Sequence, residues 1–502
     1  MIVTRRNALK ASGVALGALA IGGAHETLAQ CLPNAPCYPV DPNKTQEYSY
    51  FNNLKASAPL ALYTPLLDNE MRISFMGSTF PLARRAQMEM SVFVEVGPWV
   101  PGQGPGITPT FDPYGRATDS FIFDLGTGSS TNYSAMGIAF RKMDKLFINH
   151  LHADHMGDLS QVYCFGPGYD RLSPMYVWGP GPSGVKSPRP PRRLYDDGTR
   201  AFCKNLREAM RWCTESFSMF STASAGYRDH MPTQELWGTP CDLIPVGDDP
   251  PYDGFALIPI ELDWTKVGGI AYNNPDTGVK ISHFPVIHTR RGSLGYKFDW
   301  NGLSMIYTSD TRAEWNSVTQ ACNGGKGVDV FIHDMLVPPE VYAMKLGGYS
   351  VPPNDPAFRQ HVESMKTSIN TSHTPQGAFG YLLSQIKPLP RLTVATHFPV
   401  ADDTVNCAMS SVRAHLPDIG SLGEKIVWSF DTMVIRVFAG DPKPAILQQV
   451  VSPISDFTFA PFTSVPDDLL APKYQDPFAQ IDLTAEIMQN KNGKDNWCDS
   501  GY

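Results

Sequence analysis

A short segment of this chain concentrates side chains that can bind metal ions. From Asn149 to His155 the sequence reads Asn-His-Leu-His-Ala-Asp-His, so three of the 12 histidines lie here together with an aspartate. His150 and His152 are two residues apart and project to the same side of an extended backbone. Imidazole and carboxylate ligands together suit Zn²⁺, Mn²⁺ and Fe²⁺. The spacing therefore favours a metal site over a chance histidine cluster on a solvated loop.

Further ligands are expected elsewhere, because one loop cannot complete two coordination shells. His288, Asp310 and His397 each directly follow an apolar run and precede a turn. Each also has a structural explanation, since Asp310 could be the N-cap of a helix over 311–321 and the two histidines could be structural. The predicted metal ligands are His150, His152, Asp154, His155, His288, Asp310 and His397.

The elements that position these residues are predicted from the hydrophobic patterns. Strands are expected over 73–78, 90–96, 120–125, 145–149, 175–178, 256–262, 280–287, 294–300, 304–308, 328–333, 391–396 and 425–438, and helices over 199–220, 311–321, 356–368 and 374–386. Strand pairs dominate the first half, whereas strands and helices alternate in the second. This order predicts an α/β protein with two sheets packed face to face and helices outside.

The composition excludes several classes of protein. The chain has 502 residues, of which 42% are hydrophobic and 11% aromatic, too many for a disordered chain. No heptad or periodic glycine pattern indicates a fibrous protein. The formal charge of −8 makes general polyanion binding unfavourable, because affinity for nucleic acid depends heavily on lysine and arginine.

The N-terminus resembles an export signal. Arg5 and Arg6 precede a weakly hydrophobic stretch over 11–23, and Ala29 supplies the small residue at a cleavage point. The apolar stretch is shorter than the ~20 residues that a membrane-spanning helix needs. We predict a twin-arginine signal over residues 1–29, with the twin-arginine translocase as a partner and a periplasmic or secreted location. The alternative is an ordinary amphipathic N-terminal helix.

Export would place the chain outside the cytoplasm, where some of its cysteines are expected to form disulfide bonds. All nine follow residue 29, and Cys31 and Cys37 form the easiest local pair. Cys203 and Cys213 lie ten residues apart on one predicted helix, so their Cα atoms are ~15 Å apart and the two cannot bond each other. The chain has no CxxC motif, so a thiolate zinc site has little support.

The order of these motifs resembles the metallo-β-lactamase fold. HxHxDH is followed by His, Asp and His at successive strand ends, and the closest resemblance is to the tRNase Z-type zinc phosphodiesterases and their arylsulfatase relatives. It is carried by the segments 75–78, 123–128, 149–155, 174–180, 287–296, 307–312 and 395–398. It covers about residues 72–180 and 255–435, and it implies an αββα sandwich of two mixed β-sheets with outer helices.

The resemblance also implies a division of the ligands between two metal ions. The first ion would be held by His150, His152 and His288, and the second by Asp154, His155 and His397, with Asp310 bridging. Two divalent ions are expected, Zn²⁺ first, with Mn²⁺ or Fe²⁺ open. Two such cations lower the pKa of a shared water, so that a metal-bridging hydroxide exists at neutral pH.

Two further segments match the catalytic elements of the tRNase Z branch. Residues 330–334 resemble a strand that ends in His-Glu, with Asp334 in the place of Glu, and residues 372–374 resemble the second element. The resemblance implies that His373 is the general acid or oxyanion partner and that Asp334 orients it. Asp334 is one methylene shorter than Glu, so a looser contact is expected. The alternative places His373 at a helix N-terminus capped by Ser372.

These inferences predict an exported dinuclear metallohydrolase for a small phosphodiester or a related aryl ester or sulfate. An RNA 3′-end endoribonuclease of the tRNase Z type is supported by the motifs and opposed by the export signal and the acidic charge. A metal-retaining periplasmic binding protein is disfavoured, because a binder does not need the proton-transfer pair of Asp154 and His373. The small-molecule substrate itself is not encoded in these motifs, and a homodimer is left open.

The expected domain organisation has four parts. A signal peptide over 1–29 and a loop-rich extension over 30–70 precede a catalytic domain over 71–440. The domain contains an insertion at about 181–255, in which the stretch 227–253 is expected to cover the site mouth. An irregular C-terminal extension occupies 441–502.

Overall fold

Strands make up the centre of this molecule. The computed structural model describes residues 66–67, 69–81, 87–97, 119–171, 173–220, 254–337, 356–400, 402–420, 424–440 and 447–450. The strands are β1 Glu70–Gly77, β2 Ser91–Val96, β3 Asp119–Phe123, β4 Lys145–Phe147, β5 Met175–Pro180, β6 Leu257–Leu262, β7 Gly269–Asn274, β8 Val279–Pro285, β9 Leu294–Trp300, β10 Leu303–Tyr307, β11 Val330–Asp334, β12 Leu392–Thr396, β13 Ile426–Trp428, β14 Met433–Phe438 and β15 Leu447–Val450.

These strands form two mixed sheets. The first sheet has the order β15-β14-β1-β2-β3-β4-β5-β6, and the second has the order β13-β12-β11-β10-β9-β8-β7. In the first sheet the pairs from β15 to β3 are antiparallel and those from β3 to β6 are parallel. The second sheet likewise has a parallel half, β13 to β10, and an antiparallel half, β10 to β7.

Helices connect the strands. They are α1 Ser129–Ala135, α2 Ala153–Met156, α3 Leu159–Tyr169, α4 Thr199–Phe220, α5 Trp315–Cys322, α6 Pro356–Ser372, α7 Gln376–Gln385 and α8 Asp402–His415. Short 3₁₀ turns lie at Phe140–Lys142, Asn323–Gly325 and Pro417–Ile419. Within the described residues, no helix is both long and apolar enough to cross a bilayer.

The alternation of side chains along the strands produces the layers. In β2, Val92 and Val94 belong to the core between the two sheets, whereas Phe93 points to the opposite face. That opposite face packs against α3 and α4, through residues such as Val162. The outer side of the second sheet packs against α7 through Phe379. The layers are therefore helix, sheet, sheet and helix, and the predicted αββα sandwich is confirmed.

Several predicted elements differ from the observed ones, and two of the differences have a clear physical reason. The stretch 425–438 was expected as one strand but forms β13 and β14, which belong to different sheets. The chain turns between them at Thr432, which has a φ of 63°. The helix expected over 311–321 begins only at Trp315, because the Glu314 side chain accepts hydrogen bonds from the first free N–H groups. The alternative role of Asp310 as a helix N-cap is therefore wrong.

Several predictions concern residues outside the described ones. These are the signal over 1–29, most of the extension over 30–70, the stretch 227–253, and the pair Cys31 and Cys37. The C-terminal region predicted as irregular contributes β15 at the edge of the first sheet. Cys203 and Cys213 both lie on α4 and are not bonded to each other, as their spacing predicted.

Candidate metal centre

The predicted ligands meet at one edge of the sandwich. The His loop, residues 149–155, follows β4 of the first sheet. His288, Asp310 and His397 follow β8, β10 and β12 of the second sheet. The two sheets thus bring all seven predicted ligands to one place, where they form two adjoining groups that could each hold a metal ion.

The first group consists of three histidines whose ring nitrogens converge. His152 Nδ1 lies 2.7 Å from His150 Nε2 and 3.1 Å from His288 Nε2. The outer nitrogens of two rings have acceptors: His150 Nδ1 lies 2.6 Å from Asn149 Oδ1, and His288 Nδ1 lies 2.8 Å from the carbonyl oxygen of Ser372. Each Nδ1 therefore carries the proton, which leaves the Nε2 lone pairs directed at a common point. This is the arrangement of histidines that ligate a metal.

The second group contains two aspartates and two histidines. His155 Nε2 lies 3.2 Å from both Asp154 Oδ2 and Asp310 Oδ2. His397 Nε2 lies 3.4 Å from Asp154 Oδ2 and 3.3 Å from Asp310 Oδ1. Among the described residues, neither His155 Nε2 nor Asp310 Oδ1 has a hydrogen-bond partner, although both atoms are buried. Buried polar atoms without partners are rare, and a cation between them would satisfy both.

Asp310 lies between the two groups. Its Oδ2 atom is 3.2 Å from His155 Nε2 and 3.8 Å from His288 Nε2. One carboxylate can therefore reach the ligands of both groups, as a bridging ligand must.

Asp124 is a site residue that the sequence analysis did not single out. It directly follows β3, and its Oδ2 lies 2.8 Å from His155 Nδ1. The same oxygen accepts hydrogen bonds from the hydroxyls of Tyr307 and Ser309, and Oδ1 accepts one from the backbone N–H of Asn149. Asp124 thus fixes the orientation of the His155 ring. The only indication of this role in the sequence was the position of Asp124 between a predicted strand and a glycine turn.

The electrostatics of the site match the needs of metal ligands. Burial lowers the pKa of His150 well below its usual value, and burial lowers the pKa of His288 to about 3, so both rings are neutral. Burial also disfavours charge on His155, but the carboxylates of Asp310, Asp154 and Asp124 outweigh it and raise the pKa of this ring well above its usual value. The carboxylates therefore favour a positive charge at the centre of the second group.

The donor set fits two divalent ions. It contains imidazole nitrogens and carboxylate oxygens, the ligand types of zinc, manganese and iron sites. The neutral rings of His150 and His288, the ring nitrogens oriented by hydrogen bonds and the unpaired atoms of the second group agree with this assignment.

His373 and Asp334 lie beside the second group. His373 Nδ1 is 2.9 Å from Asp334 Oδ2, an ordinary hydrogen-bond distance, so the looser contact expected for the shorter Asp334 side chain is not observed. Burial lowers the pKa of His373, but Asp334 outweighs this effect and raises it above its usual value. The pair also lies close enough to Asp310 and His397 that these four side chains could hold an ion together.

The position of His373 in the chain differs from the helix-terminus alternative. Helix α6 ends at Ser372, and the next helix, α7, begins at Gln376 after Pro375. His373 therefore lies between two helices and is not a residue at a helix N-terminus capped by Ser372. Its side chain is 15% exposed, so it reaches the opening of the site.

Comparisons with known proteins give partial similarities. No family model matches the chain. The Ribonuclease Z of Treponema denticola is 28% identical over 109 residues, which are 21% of this chain and 35% of that protein, so the similarity spans about a third of the relative. The metallo-β-lactamase fold protein YhfI of Bacillus subtilis aligns over 73% of this chain and 99% of its own, with 9% identity and a TM-score of 0.39. The short form of human tRNase Z aligns over 72% of this chain and 98% of its own, with 14% identity and a TM-score of 0.36.

The strand order and the site agree with the sequence resemblance. The two mixed sheets, with the candidate ligands at the strand ends along one edge, have the αββα arrangement that the resemblance to the metallo-β-lactamase fold implied. Its His and Asp groups can bind metal ions.

Proposed function

We propose that this protein is a metal-dependent hydrolase that cleaves small phosphodiesters. The observation that carries the proposal is the His373–Asp334 pair beside the two ligand groups, with a hydrogen bond of 2.9 Å. A protein that only binds metal has no use for an oriented histidine at the opening of the site. Aryl sulfates and aryl esters are the related substrates, because metals and carboxylates alone do not choose between phosphorus, sulfur and carbon.

The residues of the site would have different roles in the reaction. Two divalent ions held by the two groups would supply a water nucleophile of lowered pKa and would neutralise charge on the substrate. Asp334 holds the Nδ1 side of His373, so the Nε2 side is left to protonate the leaving-group oxygen. Asp124 keeps the His155 ring in position through its Nδ1 atom. Burial of Asp310 and Asp154 keeps competing water away from their carboxylates.

An RNA substrate is the second candidate. The local similarity to a protein named Ribonuclease Z favours it. The acidic formal charge of −8 opposes it, since RNA binding requires many cationic contacts. We also propose a twin-arginine signal over residues 1–29. Such a signal would export the protein from the cytoplasm, where precursor tRNA is processed. We therefore rank the small phosphodiester first.

Two substrates with different leaving groups test the proposal. Bis(p-nitrophenyl) phosphate releases a stable anion, whereas 3′,5′-cyclic AMP releases an alkoxide that must be protonated. We expect the metal-loaded protein to hydrolyse both. His373→Ala should lower kcat for cyclic AMP by roughly 10²–10⁴-fold and affect the p-nitrophenyl ester much less. His361→Ala, on α6 and outside the site, is the control.

The outcomes separate the candidates. Absence of turnover of both esters, with two metals bound per chain, would contradict the phosphodiesterase and direct attention to aryl sulfates and carboxylic esters. Cleavage of a precursor tRNA with a 3′ trailer, but of neither small ester, would favour the endoribonuclease.

A further inference from the structure

His333 is a buried histidine that belongs to neither ligand group. It lies in β11 immediately before Asp334 and has no solvent exposure. Its ring stacks on Phe331 with a centroid distance of 5.1 Å and an interplanar angle of 16°, and it also contacts Phe379. Burial lowers the pKa of His333 to about 3, so the ring is neutral. A neutral imidazole in an apolar strand needs a partner for each nitrogen.

Both nitrogens have threonine partners. His333 Nδ1 lies 2.9 Å from Thr308 Oγ1, and His333 Nε2 lies 3.0 Å from Thr374 Oγ1. The Thr374 hydroxyl donates its own proton to the carbonyl oxygen of Thr311, at 2.7 Å. Thr374 Oγ1 can therefore only accept from His333, which places the ring proton on Nε2. Nδ1 is then the nearest acceptor for the Thr308 hydroxyl, which also faces the carbonyl oxygens of Ser309 at 3.1 Å and Ile332 at 3.5 Å.

The two threonines lie in the loops that contain Asp310 and His373. Thr308 is two residues before Asp310, the residue that lies between the metal groups. Thr374 directly follows His373. The His333 ring therefore spans the gap between the loop of the bridging carboxylate and the loop of the general acid.

We propose that His333 is a positioning residue that fixes His373 relative to Asp310 by hydrogen-bonding Thr308 and Thr374 with a single, defined tautomer. The functional part of this inference rests on the proposed phosphodiesterase activity. The loop has other contacts as well. The Thr374 hydroxyl donates to the carbonyl oxygen of Thr311, which follows Asp310, and the N–H of Leu336 donates to the carbonyl oxygen of Thr374 at 2.9 Å. The Ser372 carbonyl oxygen faces His288 Nδ1, and Asp334 contacts His373. The Thr374–Thr311 bond joins the two loops on the far side of Asp310, whereas the His333 ring links Thr374 to Thr308, on the near side of Asp310.

A leaving-group comparison tests the positioning role. His333→Phe keeps an aromatic ring in the apolar surroundings and removes both hydrogen bonds. We expect kcat for cyclic AMP to fall about 10–100-fold, as for a misplaced catalytic group, and kcat for bis(p-nitrophenyl) phosphate to fall less than about 3-fold. His333→Gln, which retains a donor toward Thr374, should recover part of the loss. Two metals per chain should remain in each variant.

Thr374→Val removes the same link from the other side, together with the Thr374 bond to Thr311. The double variant with His333→Phe should lose no more activity than the more affected single variant, because both changes break one link. Additive losses would overturn the proposal. Equal losses on both esters, or loss of a metal, would also overturn it, since they would indicate a general structural role.

A second measurement does not depend on the substrate. Nitrogen NMR of the imidazoles in the metal-loaded protein at pH 7 should show His333 neutral and protonated on Nε2. A ring protonated on Nδ1, or a charged ring, would overturn the proposed hydrogen-bond arrangement. If the protein hydrolyses neither ester, the proposed function fails, and the tautomer still decides whether His333 makes the two threonine contacts.

Discussion

Asp334 shows how one buried carboxylate can serve two histidines. Its Oδ2 contacts His373, and its Oδ1 lies 3.7 Å from His397 Nδ1. Asp334 Oδ1 and His397 Nδ1 are both buried, and neither has a hydrogen bond among the described residues. A small movement would let His397 donate to Asp334. The same carboxylate would then orient the general acid and a metal ligand.

The Asp334 carboxylate should control the pH dependence of turnover. It raises the pKa of His373, so His373 loses the proton of a general acid only as the pH rises through that raised pKa. In Asp334→Asn the attraction between the carboxylate and the protonated His373 ring is absent, while burial still lowers the pKa of His373. We expect the alkaline limb of kcat for cyclic AMP to move to lower pH by about 1 unit. Asp334→Glu should keep the limb near its original position, and an unchanged profile in Asp334→Asn would contradict the role.

The sequence was most informative at this scale. HxHxDH and the polar residues after apolar strands predicted the seven side chains that the structure brings into two adjoining groups, each able to hold a metal ion. Asp124 and His333 were not identified as site residues, because their roles depend on contacts with residues far away in the chain. Asp124 contacts Tyr307, 183 positions later, and His333 contacts Thr374, 41 positions later. Spacing in sequence does not reveal such pairs.

Helix α3 contains a proline, and a buried arginine satisfies the carbonyl group that the proline leaves without a helical partner. Pro167 has no N–H, so the Tyr163 carbonyl oxygen lacks its partner within the helix. Arg171 donates to this oxygen at 3.1 Å and also to the carbonyl oxygens of Val162 and Gly254. The guanidinium passes so close to Gly166 that a Cβ there would lie 2.9 Å from Arg171 Cζ. Arg171 cannot move aside without losing these hydrogen bonds.

Two glycines of α3 should therefore respond differently to alanine. Gly166→Ala should lower the free energy of unfolding by about 1–3 kcal/mol, because the new methyl group displaces the Arg171 guanidinium. Gly168→Ala is the matched control, since a Cβ at this position would have no other atom within 4 Å. It should be neutral or stabilising by up to about 1 kcal/mol, as expected for a helix. Urea unfolding of both variants measures the difference, and equal effects would show that Arg171 is free to move.

Element types were predicted well where the periodicity was strong. Helix α4 and strand β9 have the predicted bounds, Thr199–Phe220 and Leu294–Trp300. Helix α3 was not predicted, because its glycines and proline are typical of turns. Strand β7, Gly269–Asn274, was also missed, since its edge position leaves it polar and partly exposed. In these elements tertiary packing outweighs local propensity.

At the scale of the whole molecule, the candidate metal ligands come from both sheets. The His loop follows β4 of the first sheet, whereas His288, Asp310 and His397 follow strands of the second. Bound ions would therefore connect the sheets at the edge where the core between them ends. They would also neutralise Asp154 and Asp310, which face each other across the second group.

Removal of metal should destabilise the folded protein measurably. A ligand at 100 times its dissociation constant stabilises the native state by about 2.7 kcal/mol. We expect chelation to lower the Tm by several degrees and Zn²⁺ to restore it, as measured by differential scanning calorimetry. His288→Ala should respond less to both treatments. A Tm that is insensitive to chelation in metal-loaded protein would contradict a link between the sheets through metal.

The two-layer architecture was predictable, but the strand order was not. Alternating strand patterns indicated two sheets with outer helices. The pairing of β1 with β14, however, joins Glu70 to Phe438 across most of the described chain. Local sequence patterns carry no information about a partner so far away, and only the packing of the complete core selects it.

The pairing of β1 with β14 also affects the order of events during synthesis. Ribosomes add roughly 5–20 residues per second, so about 20–70 s pass between the emergence of β1 and that of β14. During this interval the nascent chain exposes one edge of β1, whose residues Ile73 and Phe75 are fully buried in the finished protein. A molecular chaperone that covers this edge would protect the growing polypeptide from aggregation until translation has passed Phe438.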